Sequence, residues 1–127
     1  MSEEINHFLR KSQHAIKVSE DLLGKGYSSD AMSKIYYALF YASQALLKSA
    51  SINVIKHSAV ESAIGFHFVK TGKMDVKYHR ILIDARKLRE VADYDLHETI
   101  LRTQTLDKIA ETKMFLKVVK KMILKAD

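Results

Sequence analysis

The chain has no cysteine, no proline and no tryptophan, and only four glycines in 127 residues. Each absence excludes something. Without cysteine there is no disulfide framework, no thiolate nucleophile and no cysteine-rich zinc site. Without proline nothing in the chain forces a helix to end, so long helices can run unbroken. Four glycines cannot supply the frequent turns of a β-sandwich or barrel. No apolar run approaches the roughly 18 residues of a membrane-spanning helix. Met1 to Lys11 carries Glu3 and Glu4 where a secretory signal needs positive charge, and no apolar stretch follows. The expectation is a cytoplasmic protein without membrane contact.

What is present fits one helical domain over residues 1–127. Hydrophobic residues make up 47% and charged residues 28%, too apolar for disorder and enough for a core. Apolar residues recur at helical spacing in five segments. Helix one is expected from Glu3 to Leu23, capped by Ser2 and stopped by Gly24 and Gly26. Its stripe of Ile5, Phe8, Leu9, Ile16, Leu22 and Leu23 also carries Ser12 and Ser19, small enough for close helix approach. Helix two is expected from Ser28 or Ser29 to Ser49. It is apolar almost all round, the mark of a central helix. Its one polar flank holds Lys34, Tyr37, Tyr41, Gln44 and Lys48.

Ser51 to Lys56 reads as a connector. Helix three follows from His57 or Ser58 to Val69, burying Val60, Ala63, Ile64, His67 and Phe68. Helix four is expected from Asp75 to Ala92 on an apolar face of Tyr78, Ile81, Leu82, Ala85, Leu88 and Ala92. His79, Arg86 and Asp93 are spaced by seven on another face, with Arg89 beside them. Asp95 to Gln104 reads as a loop, and helix five as Thr105 to Lys125. The fold class is all-α, an antiparallel up-and-down bundle of four to five helices.

The net charge is +6. Seven basic residues face three acidic ones between Val69 and Glu90. The last helix adds six lysines, whereas the first thirty residues are slightly acidic. Such a surface attracts polyanions such as RNA or DNA. The plainer reading is solvated lysine on helix faces.

Four blocks then become recognisable. They are Ser33-Lys34-Ile35-Tyr36-Tyr37-Ala38-Leu39-Phe40-Tyr41-Ala42, Lys56-His57-Ser58-Ala59-Val60, His67-Phe68-Val69-Lys70-Thr71-Gly72-Lys73 and Arg89-Glu90-Val91-Ala92-Asp93-Tyr94. In this order they resemble the HEPN superfamily, in the branch of small proteins encoded beside minimal nucleotidyltransferases. The resemblance covers about residues 30 to 95. It implies a helical bundle that commonly dimerises. Members are ribonucleases, toxins of toxin–antitoxin pairs, or RNA- or nucleotide-binding accessory domains. The ribonucleases use an arginine followed, after four to six residues, by a histidine, one motif per subunit meeting at the dimer interface. There histidine serves as general acid or base, and arginine stabilises the charge of the transition state.

This sequence departs from that motif. Arg89 is followed after four residues by Tyr94, and the next histidine, His97, lies outside the usual range. Tyrosine, with a reference pKa near 10, is a poor base at neutral pH. The departure weighs against robust ribonuclease activity, with Arg89 and Tyr94 the only catalytic candidates. In some family systems a tyrosine near this motif is modified by the partner nucleotidyltransferase.

The expected site is Arg89 contacting phosphate or base, oriented by Asp93, with Tyr94 stacking or donating its hydroxyl. Arg86, Tyr37, Tyr41 and His57 complete the candidate ligand contacts. Each has a plainer alternative. Arg89 and Asp93 are an intrahelical pair at spacing four, tyrosine stripes usually pack, and His57 can bond locally at its helix start. His67 is expected to be a core residue. No histidine pairing suggests a metal site, no serine triad or phosphate loop is present, and no cofactor is expected. Two functions stand. One is a homodimer binding RNA or nucleotide in a toxin–antitoxin or nucleotidyltransferase-linked system, with a weak metal-independent ribonuclease as its enzymatic version. The other is a non-catalytic dimerisation and protein-interaction module.

Overall fold

The computed structural model describes residues 2–94 and 99–126. His97 and the start of the expected Asp95–Gln104 loop lie outside them. The described residues form α1 (Glu3–Gly24), α2 (Ser28–Ser49), α3 (His57–Ile64) with a π-helical turn Gly65–Val69, α4 (Val76–Tyr94) and α5 (Arg102–Ala126). This is the all-α bundle the sequence predicts. No helix among the described residues is long and apolar enough to cross a membrane.

Local chemistry sets the boundaries. Ser2 Oγ accepts from the Ile5 N–H at 3.2 Å, with Glu3 and Glu4 in the first turn of α1. Cap and charge both favour a helix start there. At its other end Tyr27 N–H donates to Leu22 O (2.9 Å) and Gly26 N–H to Leu23 O (3.0 Å). That pair is a Schellman stop. Gly26 takes the left-handed position, with φ +86°. Gly24, expected to share this role, is the last ordinary residue of the helix. The same two bonds close α2, from Ile52 to Leu47 O and from Ser51 to Lys48 O, but there Ser51 holds the left-handed position at φ 59°.

α2 is the central helix, packed against α1, α3, α4 and α5. Ala31, Ile35, Ala38, Leu39 and Leu47 have no exposed surface, and the buried apolar side chains of the molecule form one cluster around them. Ser12 and Ser19 of α1 are fully buried. Ser12 Oγ donates to Ala38 O at 2.7 Å, so α1 approaches the α2 backbone there. Ser19 returns its bond to Ile16 O of its own helix.

Two expectations are corrected. His67 is only half-buried and meets Phe66 edge-on at 4.9 Å. The wider π turn brings Phe68 back over Ile64 and leaves His67 about a quarter-turn short of the core. The ring of His79 from α4 lies over this turn. Its Nε2–H donates to Glu61 O at 2.9 Å, and a Cβ on Gly65 would sit 3.0 Å from it. The second correction is α5, which begins at Arg102 rather than Thr105. Gln104 Oε1 reaches back to the Leu101 N–H at 2.8 Å, half of a capping box, and Arg102 donates to Leu23 O at 2.7 Å.

Candidate functional site around Arg89

Arg89 stands near the C-terminal end of α4, on the side facing α2. Its side chain is only 17% exposed. The guanidinium lies 4.9 Å from the ring centre of Tyr36 and 5.8 Å from that of Tyr37. Cations are attracted to such ring faces. Among the described residues one polar contact serves it: Nη1 donates to Asp93 Oδ2 at 3.3 Å. Arg89 Nε is buried with no partner among the described residues. A charged donor desolvated in this way is costly unless something accepts from it.

Asp93 is held from the other side. Ser33 Oγ donates to its Oδ1 at 2.6 Å, which ties the end of α4 to the first turns of α2. The carboxylate is therefore fixed by Ser33 and only loosely joined to Arg89.

His57, the first residue of α3, completes the wall. Its ring stacks on Phe40 at 4.1 Å, and lies 5.5 Å from Tyr36 and, edge-on, 5.7 Å from Tyr37. Burial, and then the positive charge of Arg89, hold its pKa below the usual histidine value. His57 is thus a neutral imidazole at neutral pH. Tyr36 is pushed up to about 12, burial outweighing the opposing pull of Arg89. It remains a protonated phenol, unsuited to act as a base.

The structure thus gathers Arg89, Asp93, Tyr37 and His57. It separates the other candidates from them. Arg86, one turn earlier, has its donors committed: Nε and Nη2 to the two oxygens of Glu61 (2.8 and 3.4 Å), Nη1 to Glu90 (3.0 Å). These bonds raise its pKa and clamp α4 to α3. Tyr41 lies one turn beyond Tyr37, ring centres 6.3 Å apart, with the Lys11 ammonium 4.9 Å over its ring. Tyr94 is 75% exposed. Five residues after Arg89, it points about 140° around the helix from it.

The sequence does not single out Ser33 or Lys11, and it places Tyr36 in the tyrosine stripe while assigning ligand contact to Tyr37 and Tyr41. Only the 33–93 pairing across sixty residues identifies Ser33. Tyr36 had a signal: a tyrosine inside an all-round apolar helix stands beside whatever packs on that helix. The lysines of α5 divide as expected of a surface. Lys108 and Lys113 pair with Glu111 and Glu20, and Lys117, Lys121 and Lys125 are exposed.

Near the end of α4 the helical bundle thus frames an arginine with aromatic rings. Residues 5–123 match the HEPN domain family, and the chain belongs to it. It is 31% identical over 121 residues to the Methanocaldococcus jannaschii protein named "Putative toxin MJ0142", covering 95% of this chain and 82% of that one. A second protein of that organism, "Putative toxin MJ0605", is 29% identical, with 95% and 90% covered. A Thermotoga maritima protein named "UPF0332 protein" is also 29% identical, with 94% and 90% covered.

Proposed function

We propose that this HEPN protein is a toxin-like component that binds RNA or nucleotide, with Arg89 taking a phosphate oxygen. The observation that carries the reading is the state of Arg89: largely buried, flanked by two tyrosine rings and, among the described residues, held by a single 3.3 Å contact with Nε unpartnered. An incoming phosphate would accept from the guanidinium and remove the desolvation cost at its Nε. Tyr37, half-buried beside it, offers a face for a base. The names of the two Methanocaldococcus relatives support the toxin-like role. The homodimer and the nucleotidyltransferase partner rest on the family resemblance of the Tyr36–Tyr41 and Arg89–Tyr94 blocks.

The test is an RNA titration at two salt concentrations. Binding is expected to weaken with salt as phosphate contacts demand, and to fall at least tenfold in Arg89→Ala. Wild-type binding that Arg89→Ala leaves unchanged refutes the reading.

One observation favours an enzymatic version. His57, absent from the linear motif, is a neutral imidazole that feels the charge of Arg89. A neutral imidazole is the form that takes a proton from a ribose 2′-hydroxyl. RNA cleavage without added metal, abolished in His57→Ala, is the outcome this version requires. Intact RNA after prolonged incubation with the wild-type protein eliminates it.

A further inference from the structure

The outer face of the α1–α2 hairpin carries an open groove of about 680 Å³. α1 supplies one rim with His7, Arg10, Lys11 and His14, spaced as a single helix face. α2 supplies the other with Lys34, Tyr37 and Tyr41. Ala15 and Val18 are the apolar floor. No carboxylate is among the lining residues. Among the described residues, Arg10, Lys11 and Lys34 have no acidic side chain at ion-pair distance, whereas Arg86, Arg89, Lys48, Lys108 and Lys113 do. The basic side chains of the groove are exposed, and among the described residues their charge is uncompensated. The Lys11 ammonium lies 4.9 Å over the Tyr41 ring.

We propose that this groove binds single-stranded RNA, the phosphates on the cationic rims and bases on Tyr37 and Tyr41. Three features select that occupant. The seven residue steps of α1 from His7 to His14 span roughly 10 Å, long enough for more than one phosphate and longer than a lone anion needs. The apolar floor and two tyrosine faces suit unpaired bases, which stack on aromatic rings without sequence preference. A duplex hides its base faces, and an acidic peptide has no flat rings to stack. Tyr37 also belongs to the wall around Arg89, so a strand in the groove runs toward the Arg89 pocket. The inference rests on the RNA reading above and shares Tyr37 with it, while the cationic rims and Tyr41 are its own.

The probe is a fluorescein-labelled oligouridine of about eight nucleotides, within the span such grooves occupy. Binding is followed by anisotropy across a salt series. The double substitution Arg10→Glu/Lys11→Glu alters exposed side chains. It is expected to weaken binding at least tenfold. Two lost phosphate contacts also lower the log–log salt slope by about 1.4. Tyr41→Ala is expected to weaken binding about tenfold with the slope unchanged, since stacking carries no counterion term. If the double variant melts abnormally, Lys34→Glu on the opposite rim repeats the test. Lys117→Glu/Lys121→Glu on α5 makes the same charge change elsewhere and is expected to stay within about threefold.

The proposal is overturned if the groove variants bind within twofold of wild type, or if the α5 control weakens binding equally. It is also overturned if polyglutamate or duplex RNA of equal charge competes as well as the single strand. Failure of the wild-type protein to bind at roughly 100 μM and low salt, the weak end of non-specific association, overturns it too. Arg89→Ala separates the two readings. Loss there with intact groove variants sinks the groove alone; loss in the groove variants with Arg89→Ala intact sinks the Arg89 site alone.

Discussion

Arg86 and Arg89 sit three residues apart on one helix and are expected to respond oppositely to the same change. Consider each replaced by methionine, which keeps the aliphatic stem and removes the charge. Arg89 loses an i,i+4 pair with Asp93, contributing about 0.3–0.5 kcal/mol, and a cation–ring contact contributing about 1 kcal/mol. Against that, the variant no longer buries an unpartnered Nε, which costs about 1–3 kcal/mol. Asp93 keeps its bond from Ser33. At the middle of these ranges the terms cancel to within about 1 kcal/mol. Arg86→Met instead strips both donors from Glu61, whose side chain is only 15% exposed. A desolvated carboxylate left without its donors costs about 2 kcal/mol or more. For a chain this long 1 kcal/mol moves Tm by about 4 °C. Thermal melts should therefore place Arg89→Met within about 4 °C of wild type and Arg86→Met about 8 °C below it. RNA titrations should reverse the order, with at least tenfold loss for Arg89→Met and less than threefold for Arg86→Met. If Arg89→Met melts far below wild type yet binds RNA normally, Arg89 is a structural strut and the argument from its unmet donor fails.

The lowered pKa of His57 sets a pH dependence. Its folded pKa lies below the unfolded 6.5, so the unfolded chain takes up its proton first as pH falls. Unfolding free energy should fall from pH 7.5 toward pH 5.5, and urea melts of His57→Gln should show a smaller loss over that window. Equal losses in both proteins would mean that His57 is not the group responsible. Ser51 at φ 59° carries a left-handed strain of about 1–2 kcal/mol, which glycine relieves at about 0.5–1 kcal/mol in unfolded-chain entropy. Ser51→Gly should gain about 0.5 kcal/mol and Gly26→Ala, at φ +86°, should lose about 1 kcal/mol, both read from urea midpoints.

The sequence reveals much of this fold because the information is periodic. The all-round apolarity of Ala31–Leu47 marks a helix with neighbours on every side, and α2 has them. Ser12 and Ser19 on an apolar stripe mark close approach, and both are buried. Features that break the period are not legible. The π turn at Gly65–Val69 adds no unusual residue, so His67 reads as core. The start of α5 depends on Gln104 reaching back to Leu101, a residue with no capping side chain of its own. Within the site, Arg89 and Asp93 stand at visible helical spacing. Ser33 is joined to Asp93 only by folding, across sixty residues. The α1 rim was hidden by summation. Glu3, Glu4, Glu20 and Asp21 near the ends of the helix cancel the total, while His7, Arg10, Lys11 and His14 share one face.

Tyr94 bears on the proposed homodimer. A residue five positions beyond Arg89 on a helix cannot turn its side chain to the same spot, since it points about 140° away. Arg89 faces inward onto Tyr36 and Tyr37, and Tyr94 faces outward with 75% of its surface exposed. An Arg-x4-Tyr pair on this geometry joins one site only if something outside the chain covers the end of α4. A second subunit meeting there is the arrangement the family resemblance implies. Tyr94→Ala should then leave the thermal melt of dilute protein nearly unchanged, because the residue is 75% exposed. It should weaken self-association at least tenfold by light scattering or sedimentation, an aromatic anchor at an interface contributing about 2 kcal/mol. Undiminished self-association in that variant would show that Tyr94 lies outside the contact between subunits, and Arg89 would then have to act from its own chain alone.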